Sequence, residues 1–255
     1  MPKVLTEVRD RIFIITINRP EVMNCIDGET AKLLFEAWQR FRDDDELFVA
    51  IITGAGEKSF CSGADLKNFQ SLLEFEGKEM GFLGYTRGTD IFKPIIAAIN
   101  GYCFAGGLEI ACLADLRIAS ENAEFGCLER RWNVPLIDGL TQRLPRIVGL
   151  GRAMELILTG KRIDAWEAYR IGLVNEVVPR EKLMERALEI AKQLCEYPQG
   201  SIRADKKAVM LGLGRPLEEG LKLEKEIGEK ILGTHDFVEG VRAFIEKRKP
   251  SFDHR

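Results

Sequence analysis

Two short stretches of the chain combine glycine with residues suited to handling charge. In Asn100-Gly101-Tyr102-Cys103-Phe104-Ala105-Gly106-Gly107-Leu108-Glu109 a Gly-Gly pair stands where a helix can open. The first N–H groups of a helix have no intrahelical partner and lie at its positive end, so they suit an anion. Close helix packing is the competing reading of the pair, and a phosphate cradle of the P-loop kind would lack its lysine. In Phe60-Cys61-Ser62-Gly63-Ala64-Asp65-Leu66 a glycine permits a sharp strand exit, and a small residue follows whose N–H stays accessible. Asp65 fits as an acceptor that fixes this loop, and a simple tight turn is the plainer alternative.

Composition narrows the chemistry. Among 255 residues there are only two histidines, His235 and His254, neither near the glycine-rich centre. Ser-His-Asp or Cys-His catalysis is therefore not expected, and proton transfer falls to carboxylates. The six cysteines (Cys25, Cys61, Cys103, Cys112, Cys127 and Cys195) show no C-x-x-C spacing, so they read as buried hydrophobes in a reducing compartment and not as metal ligands. A net charge of −3 gives no global attraction for nucleic acid or an anionic membrane. The sequence lacks a run of about 18 apolar residues and a signal-peptide core, which predicts an unanchored cytoplasmic protein with small-molecule partners.

The elements that must position these stretches follow from hydrophobic pattern. Val4 to Val8 and Ile12 to Ile17 predict a hairpin broken at Asp10-Arg11. Asp27 is placed to cap a helix whose apolar face is Ala31, Leu34, Phe35, Trp38 and Phe41. Phe48 to Ile52 and Pro94 to Ile99 read as buried strands, each followed by glycine and then by one of the two stretches above, so that a strand-to-helix plan is used twice. The segment 71–92 is expected to be a mobile flank of the site. Beyond Gly139 helices dominate: 152–158, 165–170, 181–196, a stretch after Ser201, 217–232 and 237–247, with one strand at 173–178. Ile51-Ile52-Thr53-Gly54-Ala55-Gly56 looks superficially like the start of a dinucleotide loop, but Ser59 stands where the third glycine would be.

Taken together, the two glycine stretches resemble the crotonase (enoyl-CoA hydratase/isomerase) family. Phe60 to Leu66 resembles its F-x-x-G-A-D-[LI] motif, and Lys93 to Gly101 with Gly106-Gly107-x-Glu109 resembles its K-P-x-I-A-A-[IV]-x-G…G-G-x-E block. Ordered matches continue along the chain: Asn18-Arg19-Pro20 with Asn24, Thr141 to Arg146, Leu158-Thr159-Gly160, Ala165 to Val174 and Ala243 to Arg248.

The resemblance implies an α/β fold, a crotonase-like β-β-α spiral core over 1–195. It also implies a C-terminal helical region, 196–255, that builds a homotrimer or a dimer of trimers and part of the coenzyme A groove. The implied substrate is an acyl-CoA thioester, with coenzyme A as part of the substrate and no separate cofactor. The implied oxyanion hole is the N–H groups of Ala64 and Gly106. Glu109 and Glu129 match the two catalytic glutamates of hydratases, with an exposed helix residue and a solvated charge cluster as their respective alternatives. Met23, Cys25, Ser62, Asp65, Leu66, Tyr102 and Gly107 are expected along the substrate path, and Lys247 near the 3′-phosphate. The block Arg130 to Gly139 departs from the glycine-rich stretch of hydratases. Within it, Asp138 is a rival acid that would serve isomerisation, unless it is merely the N-cap of a helix from Leu140. A hydratase is the leading expectation, an isomerase the alternative, and an NAD-dependent oxidoreductase or an RNA-binding protein the remoter ones.

Overall fold

The β-branched N-terminal residues form the expected hairpin, with β1 (Val4–Arg9) antiparallel to β2 (Ile12–Ile17) and Asp10 supplying the left-handed turn at φ 54°. β2 pairs in parallel with β3 (Val49–Gly54), which is buried at all six positions. The computed structural model describes residues 1–75 and 81–254. Between the hairpin and β3 runs α1 (Gly28–Asp43), capped by Asp27, whose side chain accepts from Thr30 N–H. Ala31, Leu34, Trp38 and Phe41 are buried on its inner face, while Phe35 is half-buried.

The chain then winds three times through one pattern: a long strand, a short strand, a helix. The windings are β3, β4 (Ser59–Cys61) and a 3₁₀ helix (Leu66–Phe75); β5 (Ile95–Ile99), β6 (Tyr102–Phe104) and α2 (Gly106–Ala111); β7 (Leu116–Ser120), β8 (Glu124–Gly126) and a 3₁₀ helix (Leu128–Trp132). Long strands build a six-stranded sheet in the order β1-β2-β3-β5-β7-β10, and short ones a four-stranded sheet, β4-β6-β8-β9. This is the β-β-α spiral that the resemblance implied. Its third winding is one more than hydrophobic pattern disclosed, because Arg117 interrupts the apolar run of β7. The buried Arg117 guanidinium donates to Leu173 O at 2.7 Å and Ala114 O at 2.6 Å.

After the spiral come α3 (Leu140–Val148), α4 (Leu150–Thr159), β9 (Ile163–Asp164), α5 (Ala165–Arg170), β10 (Glu176–Val178), α6 (Leu183–Glu196), α7 (Gln199–Gly212), α8 (Leu217–Gly228) and α9 (His235–Glu246). The strand expected from Leu173 starts later, because Leu173 and Val174 fold back on Ala168 O after α5. On one face of the large sheet, Phe13, Ile15, Ala50 and Ile52 join the main core with α1. On the other, Ile12, Ile14, Val49 and Ile51 pack against Leu183, Ala187 and Ala191 of α6. Burial on both faces explains the near-continuous apolar strands.

Beyond α6 little is buried: Gln199 in α7, nothing in α8, Asp236 and Ala243 in α9. Of the segment expected to be mobile, residues 76–80 lie outside the described residues, and the remainder buries Leu72, Leu83, Tyr85 and Ile91 in the main core. Among the described residues no helix is long and apolar enough to cross a membrane.

Candidate active site

The exits of β4 and β6 meet. Ser62 N–H donates to Met23 O (3.1 Å), Ile26 N–H to Gly63 O (2.8 Å) and Asp65 N–H to Ile26 O (2.8 Å). This short parallel bridge uses the neighbours of Ala64 and leaves the Ala64 N–H without an acceptor among the described residues. The Gly106 N–H, first in α2, is likewise without one. A Cβ placed on Gly63 would stand 2.9 Å from the Gly106 nitrogen, and one on Gly106 would stand 3.2 Å from Gly63 Cα. The two donors therefore sit side by side because neither Gly63 nor Gly106 carries a side chain.

Ala105, immediately before the second donor, has φ 50° and ψ −123°, a conformation L-residues rarely adopt, and its N–H is anchored on Gly126 O at 2.9 Å. Strain of this kind concentrates where geometry serves function. Gly107 answers to packing instead, since a Cβ there would stand 2.0 Å from Cys61 O.

A buried ion network holds the first donor in place. Arg19 Nη2 meets Asp65 at 2.9 Å and Asp27 at 3.3 Å, and Arg19 Nη1 donates to Cys25 O at 2.7 Å. Asp65 also accepts from Asn68 Nδ2 (2.9 Å) and Lys67 N–H (3.2 Å), which makes it the loop-fixing acceptor expected. Burial alone would raise the Asp65 carboxyl, but Asn68 and Arg19 outweigh it and hold it below the usual range.

Glu109 is buried, 4% exposed, and not the exposed helix residue of the alternative reading. Its Oε1 accepts from Asp138 N–H (3.0 Å) and Leu140 N–H (3.2 Å). Desolvation, followed by the negative charges of Asp138 and Glu129, pushes it up to about 8. Glu129 is also buried, with both carboxyl oxygens unpartnered among the described residues, and burial raises it too. A solvated cluster it is not, although Arg130, Arg131 and Trp132 beside it are exposed. Burial thus shifts both carboxyls in the direction that general acid–base catalysis requires.

Asp138 is 2% exposed and does not cap α3: the N-cap is Gly139, at φ 103°, with no side-chain bond. At that positive φ the turn favours glycine, and the Asp138 side chain accepts instead from Phe82 N–H and Thr86 Oγ1. Thr86 and Arg143 escaped sequence reasoning. Arg143 stood in a matching motif, but its contacts to Thr86 O and Gly88 O cross more than fifty residues.

The remaining expected residues divide. Met23, Cys25, Ser62 and Asp65 flank the Ala64 bridge, with Leu66 exposed just beyond it. Tyr102 stacks on Phe104 (5.2 Å) under the Arg162 guanidinium, which gives it a packing role. Lys247 is exposed at the C-terminal end of α9, and no hydrogen bond or ion pair among the described residues ties it to the others. The dinucleotide reading fails on structure: after Gly56 the chain enters β4 and not a helix, and a Cβ at Gly54 would stand 2.4 Å from Ser59 O and Phe60 O.

The two-sheet spiral with adjacent strand exits is the crotonase fold. A family profile described as enoyl-CoA hydratase/isomerase matches residues 7–255, and the chain belongs to that family. It is 43% identical over 260 residues to an (E)-benzylidenesuccinyl-CoA hydratase of Thauera aromatica, covering 99% of both chains. It is 39% identical over 249 residues to a short-chain-enoyl-CoA hydratase of Clostridium acetobutylicum, covering 96% of this chain and 95% of the relative. The crystal structure of an enoyl-CoA hydratase from Mycobacterium marinum superposes with a TM-score of 0.93 at 35% identity, over 100% of both chains.

Proposed function

We propose that this protein is an enoyl-CoA hydratase that adds water across the 2,3 double bond of a 2-enoyl-CoA. The observation that carries the reading is the pair of buried glutamates, Glu109 with the charge of Glu129 acting on it and Glu129 with both oxygens unpartnered among the described residues. Hydration moves two protons, one from water during attack at Cβ and one to Cα, so it needs two such groups. One carboxylate removes the proton from water as the C–O bond forms. The π electrons move onto the thioester oxygen, and the enolate then collapses as the other, protonated carboxyl delivers its proton to Cα. Ala64 and Gly106 N–H groups hold the enolate oxygen, each worth about 3 kcal/mol in the transition state. Proton transfer and charge stabilisation come from the chain in this scheme, which calls for no metal or redox cofactor; coenzyme A enters only as part of the substrate.

An isomerase built on Asp138 has less support, because Asp138 Oδ1 is turned to Phe82 N–H and Thr86 Oγ1, whereas both oxygens of Glu129, the rival second acid, have no partner among the described residues. The relatives' names also point to hydration. We further assign 196–255 to assembly as a homotrimer or dimer of trimers and, through Lys247, to the coenzyme A groove. Exposed Leu217, Leu221, Phe244 and Ile245 on α8 and α9 support that assignment. Six free cysteines fit a cytoplasmic setting. The deciding experiment follows loss of conjugated thioester absorbance over a panel of enoyl-CoA thioesters, from crotonyl-CoA to aryl-substituted members. Hydration of at least one is expected, and hydration of none overturns the reading.

A further inference from the structure

Asp138 is fastened to two parts of the site at once. Its N–H donates to Glu109 Oε1 at 3.0 Å, while its Oδ1 accepts from Phe82 N–H at 3.0 Å and Thr86 Oγ1 at 2.7 Å. Between those donors lies Leu83, whose Cδ1 is 2.4 Å from where a Gly106 Cβ would be, so this buried side chain rests on the second oxyanion donor. Arg143 closes the arrangement: Nη1 donates to Thr86 O at 2.6 Å and Asp138 O at 3.2 Å, and Nη2 to Gly88 O at 3.4 Å.

We propose that Asp138 is a positioning residue that clasps the segment 82–88 over the oxyanion donors and holds Glu109 for proton transfer, without exchanging a proton with substrate itself. The inference rests on the hydratase reading. Its main chain addresses the acid–base residue and its side chain addresses the cover, so an acyl group that displaces Leu83 is felt at Glu109. Acyl groups that fit beneath the segment meet an assembled site; those that do not meet a disordered one. The clasp is thus a selectivity element for the part of the acyl group next to the thioester. The charge of Asp138 also acts on Glu109, alongside Glu129 from the 3₁₀ helix, Cys127 just before that helix, Arg143 from α3 and Cys112 at the C-cap of α2, while Arg87 and Arg143 face Asp138.

Three variants test this on the full-length enzyme with crotonyl-CoA, over a pH series and with melting curves. Asp138→Asn retains an acceptor for both donors but removes the charge. It is expected to lower kcat by no more than about tenfold and to move the Glu109 limb of the pH profile to lower pH. Asp138→Ala loses the clasp and is expected to raise KM by about tenfold and lower kcat, with Asn partly rescuing both. Thr86→Val removes one donor, keeps the fold if Asp138→Ala does not, and is expected to raise KM with the pH limb unmoved. A loss of roughly 10²–10⁴ in kcat for Asp138→Asn, the size of a missing proton-transfer group, overturns the proposal. So does a wild-type KM in Thr86→Val. If the wild type hydrates nothing, the hydratase reading has failed on its own. Equal butyryl-CoA affinity in wild type and Thr86→Val would then overturn the clasp separately.

Discussion

The Arg19 guanidinium reaches the Asp65 carboxylate at 2.9 Å across 46 residues of sequence, next to the Ala64 donor. Breaking a buried pair strands its partner, so Arg19→Ala is expected to cost roughly 3–5 kcal/mol in denaturant unfolding. Arg19→Lys should recover only part of this, because one ammonium nitrogen cannot serve both Cys25 O and the Asp65–Asp27 carboxylates as the two arms of the guanidinium do.

Acid should weaken the same network. Burial alone would raise Asp27, but Lys3, Thr30 and Arg19 outweigh it and hold it at about 2. A folded pKa below the unfolded one stabilises above the unfolded value and is lost as pH falls towards the folded one. Melting temperature should therefore decline between pH 4 and 2, and Lys3→Met should flatten that decline.

Glu109→Gln and Glu129→Gln should each lower kcat by roughly 10²–10⁴, and the double variant by much less than the product. Steady-state hydration kinetics decide it, and near-normal turnover in Glu129→Gln would remove Glu129 from the proton-transfer pair.

Glu109 should also cost stability at high pH. Its folded pKa, raised to about 8 from an ordinary 4.5, favours the folded state while the group is protonated, and that advantage is lost as pH rises through 8. Replacement by glutamine keeps an acceptor for Asp138 and Leu140 without the charge. Glu109→Gln should melt higher than wild type at pH 9 and differ little at pH 4.5; an equal melting point at pH 9 would refute the buried-charge account.

How much of this the sequence carried depends on range. The hairpin, the Asp27 cap and both glycine exits are local, set by neighbours within a few residues, and pattern alone found them. Motif position added Glu109 and Glu129 as residues, but not their burial. Glu109 takes its donors from 29 and 31 residues away, and Asp138 its donors from 52 and 56. Nothing local to Asp138 says that Gly139 rather than Asp138 opens α3. The Asp138 carboxylate is engaged elsewhere, by Phe82 N–H and Thr86 Oγ1, donors more than fifty residues away that no periodicity encodes.

The adjacent N–H groups of Ala64 and Gly106 are main-chain atoms, brought together by the close approach of Gly63 and Gly106. Mutation can redraw the carboxylates and the cover above them while the polarising apparatus is inherited intact. A descendant of this gene could therefore change which bond it makes without first losing the ability to activate a thioester, and adaptive change should accumulate in the acids and the cover, with the glycines held fixed.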